Sequence, residues 1–192
     1  CEPTWFSAVP TMHQAIITRA PKYNEIRKKS HIRVIRSSSA ALPPSVIVQL
    51  EEIFHAVVSE SYGLTESAHH ITTPLPLEKK KTGSVGQVNG RDLAIFTESG
   101  EITWAPGSNG EIVLRGENVT KGYLRNPEAN QKAFTEDGWF RTGDLGRIDE
   151  DSCLYVTGRI KEIINRGGEK IAPREIDEAL LLHPSVKHAV AY

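Results

Sequence analysis

The sequence predicts an α/β fold that continues into a β-rich, barrel-like part. Three observations carry that expectation. An apolar-periodic helix lies between two short β runs in the first third of the chain. A string of short β runs, cut by Gly and Pro turns, fills the middle. Near the end a proline-opened helix is followed by another apolar run.

The elements follow in order. Ile32, Val34 and Ile35 mark a β run over 31–36, and the small residues Ser37-Ser38-Ser39-Ala40-Ala41 follow it. Pro43-Pro44 opens a helix, because proline suits the first helical turn. Ile47, Leu50, Ile53, Phe54, Val57 and Val58 recur at helical spacing, with the helix expected to end near 55–57 and Val57-Val58-Ser59-Glu60 to form a strand. Lys79-Lys80-Lys81 reads as a solvated turn. Leu93-Ala94-Ile95-Phe96, Glu101-Ile102-Thr103-Trp104 and Glu111-Ile112-Val113-Leu114-Arg115 read as strands of an antiparallel sheet. Ser99-Gly100 and Pro106-Gly107-Ser108-Asn109-Gly110 are the turns between them, and 153–157 is a further strand. Pro173-Arg174-Glu175 opens a helix carrying Ile176, Leu180 and Leu181. His183-Pro184 is expected to stop it, and 186–192 to resume as a strand. The expected division is 1–159, with its β-rich part over about 83–158, and 160–192.

Composition narrows the function classes. Among 192 residues, 23 basic and 24 acidic side chains give a net charge of -1, which supplies no electrostatic reason to bind nucleic acid. No apolar run approaches the roughly 20 residues of a membrane span. Cys1 and Cys153 make no disulfide framework and suggest a reducing, intracellular compartment. The oligomeric state is not legible. The chain begins at Cys1 and stops inside the apolar run Val190-Ala191-Tyr192, so it reads as a piece of a longer protein.

Several segments carry chemistry. In Ser59-Glu60-Ser61-Tyr62-Gly63-Leu64-Thr65-Glu66 a strand delivers a flat Tyr ring, a Thr hydroxyl and a carboxylate into one loop. These types suit a base, a phosphate oxygen and Mg²⁺ respectively. In isolation an ordinary strand-end turn with a solvated Glu is the favoured reading. Gly138-Trp139-Phe140-Arg141-Thr142-Gly143-Asp144-Leu145-Gly146 reads as a loop anchored by two aromatics, turned by its glycines, and holding Asp144 where it could accept two ribose hydroxyls or merely cap a turn. Gly158-Arg159-Ile160-Lys161-Glu162-Ile163-Ile164-Asn165-Arg166-Gly167-Gly168-Glu169-Lys170-Ile171 leads a basic-apolar alternation into a Gly pair. That pair permits backbone angles closed to other residues. The small residues at 37–42 let backbone lie close to a flat ring. Gly110-Glu111-Ile112-Val113-Leu114-Arg115-Gly116, Val119-Thr120-Lys121-Gly122-Tyr123 and Asn126-Pro127-Glu128 read as scaffold.

Taken in order and spacing from about residue 37 onward, these segments resemble the adenylate-forming superfamily of acyl-CoA synthetases, luciferases and adenylation domains. The resemblance implies the C-terminal part of the large AMP-binding domain followed by the start of the small α+β domain. It implies ATP, Mg²⁺ and coenzyme A as cofactors or co-substrates, and a small carboxylic acid as partner. Carried over by position, Ser39, Ala40 and Ala41 would lie against adenine, with Tyr62 on its other face and Glu60 and Ser61 lining the pocket. Thr65 would contact the phosphate, Glu66 would hold Mg²⁺, and Asp144 and Arg159 would hold the ribose. Lys161 would be the hinge of the small domain, Gly167 and Gly168 would meet the pantetheine arm, and Lys170 would sit near the adenylate.

Ser37-Ser38-Ser39-Ala40-Ala41-Leu42 replaces the usual Ser-Gly-Gly-Ala-Pro-Leu, giving a more polar and less permissive wall. The family's phosphate loop and its adenylating lysine are not among these residues, so this polypeptide alone is expected not to catalyse the first step. It is also expected to be poorly soluble when expressed alone. After the Thr-Glu pair come Ser67-Ala68-His69-His70-Ile71-Thr72. Two histidines suit a polar or charged substrate such as one with a second anionic group, and together with Ser38-Ser39-Ala40 and Arg166-Gly167-Gly168-Glu169-Lys170 the sequence is similar to the oxalate–CoA ligase branch of plants and fungi. Ligases for 4-coumarate or for medium- and long-chain acids, and a non-catalytic relative that only binds, are the alternatives. A cytoplasmic or peroxisomal location is implied.

Overall fold

A computed structural model describes residues 2–69, 71–74, 77, 80–88, 92–183, 185–186 and 189–192. It resolves into two compact units, Cys1–Leu64 with His70–Gln87, and Thr65–His69 with Val88–Tyr192.

The first unit is α/β. Strands β1 (Trp5–Ala8), β2 (Val34–Ser37) and β3 (Val57–Glu60) form a parallel sheet in that order. Phe6 lies opposite Ile35, and Ile35 opposite Val58. Helices α1 (Pro10–Arg19) and α2 (Asn24–Lys28) make the first crossover, and α3 (Pro44–Phe54) the second. A parallel sheet needs such crossovers because each strand must return to the same end. The core joins Ile35 and Val58 to Leu42, Val46, Ile47 and Leu50, with Phe6, Ile17 and Phe54 at its margin. The helix and strand expected over 43–60 are therefore present. The helix stops at Phe54 because His55 takes a left-handed conformation (φ 51°) while its N–H still donates to the Glu51 carbonyl. The unit ends at β4 (Gly86–Gln87).

Lys80 corrects the expectation of a solvated lysine turn. Its Nζ lies 2.9 Å from Glu51 Oε1 with the side chain 13% exposed, and the same oxygen accepts from the Val58 N–H at 3.0 Å. Lys79 lies outside the described residues.

The second unit is the antiparallel part. Strands β5 (Leu93–Phe96), β6 (Ile102–Thr103), β7 (Asn109–Leu114), β8 (Phe140–Ile148) and β9 (Cys153–Arg159) follow one another in the order β9-β8-β7-β5-β6. Register slips at Glu111/Val113 and at Leu145/Gly146, and such bulges sharpen the twist and curl a sheet. Ala94, Val113 and Trp139 form a core cluster here, with Phe96 and Ile102 packed on it. The Arg115 guanidinium lies 4.4 Å above the Trp139 ring. Helix α4 (Pro127–Ala133) is capped by Asn126, whose side chain accepts from the Ala129 N–H. A hairpin, β10 (Ile164–Arg166) with β11 (Glu169–Ile171), leads to α5 (Pro173–Leu181). Arg174 Nη1 donates to the Val156 carbonyl at 2.6 Å, tying α5 to β9.

Three expectations in this unit are corrected. The segment expected as an anchored loop at 138–146 is for the most part strand β8. Gly146 does not turn the chain there: a Cβ on it would lie 2.8 Å from Ile112 Cγ1, so the glycine allows the strands to pack closely. Asn109 and Gly110, expected in a turn, begin β7. Residues 186–192 contain no strand among the described positions; the Ala191 N–H donates instead to Asp177 Oδ1 at 2.7 Å. The helix before them ends at Leu181, and Pro184 lies outside the described residues. Leu180 and Leu182 are exposed.

Candidate functional site

In the first unit the carboxyl ends of β2 and β3 lie side by side, with Ser37 opposite Glu60. In parallel sheets this end is where ligands bind. The segment leaving β2 carries Ser39, Ala40 and Ala41, all exposed, with Ser39 in the left-handed region (φ 75°). Glu60, expected to line a pocket, holds this segment in place: its Oε1 accepts from the Leu42 N–H at 3.0 Å. Ser61 does the same twice. Its N–H donates to the Ser37 carbonyl, and its Oγ accepts from Arg36 Nε at 2.8 Å. Tyr62 is buried and exchanges backbone bonds with Thr72. The structure thus brings all six expected residues of this unit to one end of the sheet. Among the described residues, Ser37 Oγ and Thr72 Oγ1 are buried there without a hydrogen-bond partner.

In the second unit Thr65 and Glu66 occupy a short 3-10 turn, Thr65–Ser67. Glu66 is clamped by a segment more than fifty residues away. Its carbonyl accepts from the Thr120 N–H at 2.6 Å, and its Oε1 accepts from the Tyr123 hydroxyl at 2.9 Å. Burial, then the hydrogen bond and the charge of Glu66, raise the Tyr123 pKa above the usual phenol value, so the hydroxyl keeps its proton and donates. His69 follows, exposed, at φ 74°. His70 lies outside the described residues.

Asp144 and Arg159 are cross-strand partners on β8 and β9, which explains their meeting. Arg159 Nε lies 2.9 Å from Asp144 Oδ1; the acid side chain is 8% exposed and the arginine 54%. A nearly buried carboxylate beside a half-exposed guanidinium presents an acceptor and spare donors together, as a vicinal diol requires. The neighbouring Glu111 carboxylate is taken by Arg141 and by the Gly143 N–H.

Lys161 lies on an exposed turn, Ile160–Glu162, just past β9. Gly167 and Gly168 form the β10–β11 turn at φ 62° and 97°, and a Cβ on either would touch nothing. The turn thus requires glycine for its backbone angles rather than for space. Lys170 is paired with Glu98, whose pKa it lowers chiefly through that hydrogen bond. Lys170, Phe96, Arg141, Thr157, Ile160 and Glu175 line an open cleft of about 870 Å³.

The donor set admits Mg²⁺ at Glu66. The carboxylate keeps acceptor capacity beyond the bond from Tyr123, and it is a hard oxygen ligand. Among the described residues no group of three or more His, Cys, Asp or Glu could hold a metal. A single carboxylate suits Mg²⁺, which keeps water and substrate phosphate as its other ligands. The part of the site that sequence reasoning missed is Tyr123. Its segment reads as scaffold because the contact with Glu66 is long-range and leaves no local pattern.

The first unit ends its parallel sheet in loops at the carboxyl edge, and the second unit carries a nearly buried Asp–Arg pair. The profile of the family described as AMP-binding enzyme matches residues 1–124. The chain belongs to this family of AMP-binding enzymes. It is 51% identical over 191 residues to the oxalate–CoA ligase of Arabidopsis thaliana, covering 98% of this chain and 37% of that protein. It is 47% identical over 190 residues to the oxalate–CoA ligase of Saccharomyces cerevisiae, covering 98% of this chain and 34% of that protein. The crystal structure of ATP-bound MatB from Rhodopseudomonas palustris superposes with a TM-score of 0.84 at 30% identity, over 97% of this chain and 37% of that one. The chain therefore spans little more than a third of the length of the relatives it matches.

Proposed function

We infer that the protein is part of an AMP-forming acid–CoA ligase and that its acid is oxalate. The observation that carries this reading is the 51% identity to an oxalate–CoA ligase, sustained over 98% of the chain. In this reaction a carboxylate oxygen of the acid bonds to the α-phosphorus of ATP and pyrophosphate leaves. The thiol of CoA then bonds to the acyl carbon, and AMP leaves as the thiol proton is released.

The residues take the following parts. Ser39, Ala40, Ala41 and Tyr62 flank the adenine, with Glu60 and Ser61 shaping that wall from behind. Asp144 accepts from the ribose hydroxyls and Arg159 donates to them. Thr65 donates to a phosphate oxygen, and Glu66 holds Mg²⁺, which when bound neutralises charge building on the phosphates. His69 and His70 supply N–H donors to the carboxylate of oxalate that is not activated. Lys161 is the pivot on which the following segment turns between the two half-reactions, carrying Gly167 and Gly168 toward the pantetheine arm and Lys170 toward or away from the adenylate. The reading places the enzyme inside the cell, where ATP and CoA are available.

The test is AMP release by the full-length protein with ATP, Mg²⁺ and CoA, comparing oxalate, 4-coumarate and octanoate. Oxalate is expected to give the highest kcat/KM. A higher value for coumarate or octanoate overturns the substrate assignment while leaving the ligase chemistry in place.

A further inference from the structure

We propose that Tyr123 is a positioning residue for Glu66, setting the carboxylate's orientation toward Mg²⁺. The inference deepens the reading above and rests on its assignment of Glu66. The Tyr123 hydroxyl donates to Glu66 Oε1 at 2.9 Å across 57 residues of sequence. One carboxylate oxygen is thereby fixed, and the other keeps its lone pairs for a cation. A lone carboxylate on a three-residue turn is otherwise free to rotate about its side-chain bonds, and freezing that rotation costs free energy when the ion binds.

The rest of the strap is built to hold the tyrosine still. Asn130, on α4, accepts from the Tyr123 N–H at 2.7 Å and donates to the Tyr123 carbonyl at 3.0 Å. The preceding residue must be small: Gly122 sits at φ 129°, and a Cβ there would lie 2.9 Å from Asn130 Oδ1. Two further bonds tie the strap to the turn. The Thr120 N–H donates to the Glu66 carbonyl, and Asn118 Nδ2 donates to the Ser67 carbonyl at 3.3 Å. The segment 118–123 therefore fixes both the backbone and the side chain of the expected metal ligand. The Tyr123 hydroxyl is spent on Glu66, so its effect passes through that carboxylate.

The experiment is calorimetric titration of MgCl₂ into the full-length protein mixed with ATP and no acid substrate, which reads binding without turnover. The variants are Tyr123→Phe, Glu66→Gln and the double variant. Loss of one charge-assisted hydrogen bond is expected to raise the Mg²⁺ dissociation constant about three- to tenfold in Tyr123→Phe. ATP binding in EDTA is expected to stay unchanged. In the Glu66→Gln background the second substitution is expected to add nothing, because a positioning effect vanishes with the group it positions. An unchanged Mg²⁺ constant in Tyr123→Phe, an equal weakening in EDTA, or full additivity overturns the inference alone. Unaltered Mg²⁺ binding by Glu66→Gln overturns the assignment of Glu66, and the inference with it.

Discussion

Asp144 and Arg159 stand one strand apart, and their burial is unequal. The carboxylate has 8% of its side chain exposed, and the guanidinium 2.9 Å away compensates for part of the water it has lost. Truncating Arg159 would remove that compensation, so the pair has a structural part besides the one given it in the proposed function. His13 shows the converse. It is fully buried on α1 beside Phe6, and burial lowers its pKa, with hydrogen bonding to the backbone of Arg36 and Ala8 countering part of the shift. Its folded pKa lies below 6.5 and its unfolded pKa near 6.5. As pH falls below about 6.5 the unfolded chain takes up the proton first, so stability declines until the folded pKa is reached. Urea midpoints measured between pH 5 and pH 8 are expected to show this decline and to lose that component in His13→Leu. An identical slope in the variant would show that His13 does not carry it. Asp144 stood out in the sequence as the one acid of a glycine-bearing segment, whereas Arg159 came only from the family resemblance. His13 did not stand out, because nothing local distinguishes a buried histidine from a solvated one.

Among the elements, α3 and β3 were legible because burial there is one-sided and periodic. Val46, Ile47 and Leu50 face the core, and the left-handed His55 separates helix from strand. Strand β8 was not legible. Its glycines and its Arg-Thr-Gly-Asp run carry the composition of a turn, and its strand state is imposed by pairing with β7 on one side and β9 on the other. Helix α1 was equally silent, since its one buried position is a histidine rather than an aliphatic residue. Gly146 is a packing residue. Gly146→Val is expected to cost about 1–3 kcal/mol, as overpacking does, because a Cβ would press on Ile112 and lie 3.1 Å from the Tyr155 carbonyl. A denaturation midpoint equal to that of the parent would contradict it. The Gly167-Gly168 pair differs, since its requirement is backbone angle and was readable from the dipeptide itself.

For the molecule as a whole, the α/β first part and the antiparallel second part followed from the change in hydrophobic period along the chain. What the sequence could not supply is the long-range strap through Asn118, Thr120 and Tyr123 that clamps the Thr65–Ser67 turn. Among the described residues no helix is long and apolar enough to cross a membrane. In the proposed function acid activation precedes thioester formation. That order is open to direct measurement. The full-length protein, given labelled pyrophosphate, ATP and Mg²⁺ but no CoA, is expected to exchange label into ATP only when oxalate is present. Exchange that ignores oxalate, or oxalate-dependent formation of ADP and phosphate in its place, would contradict the account.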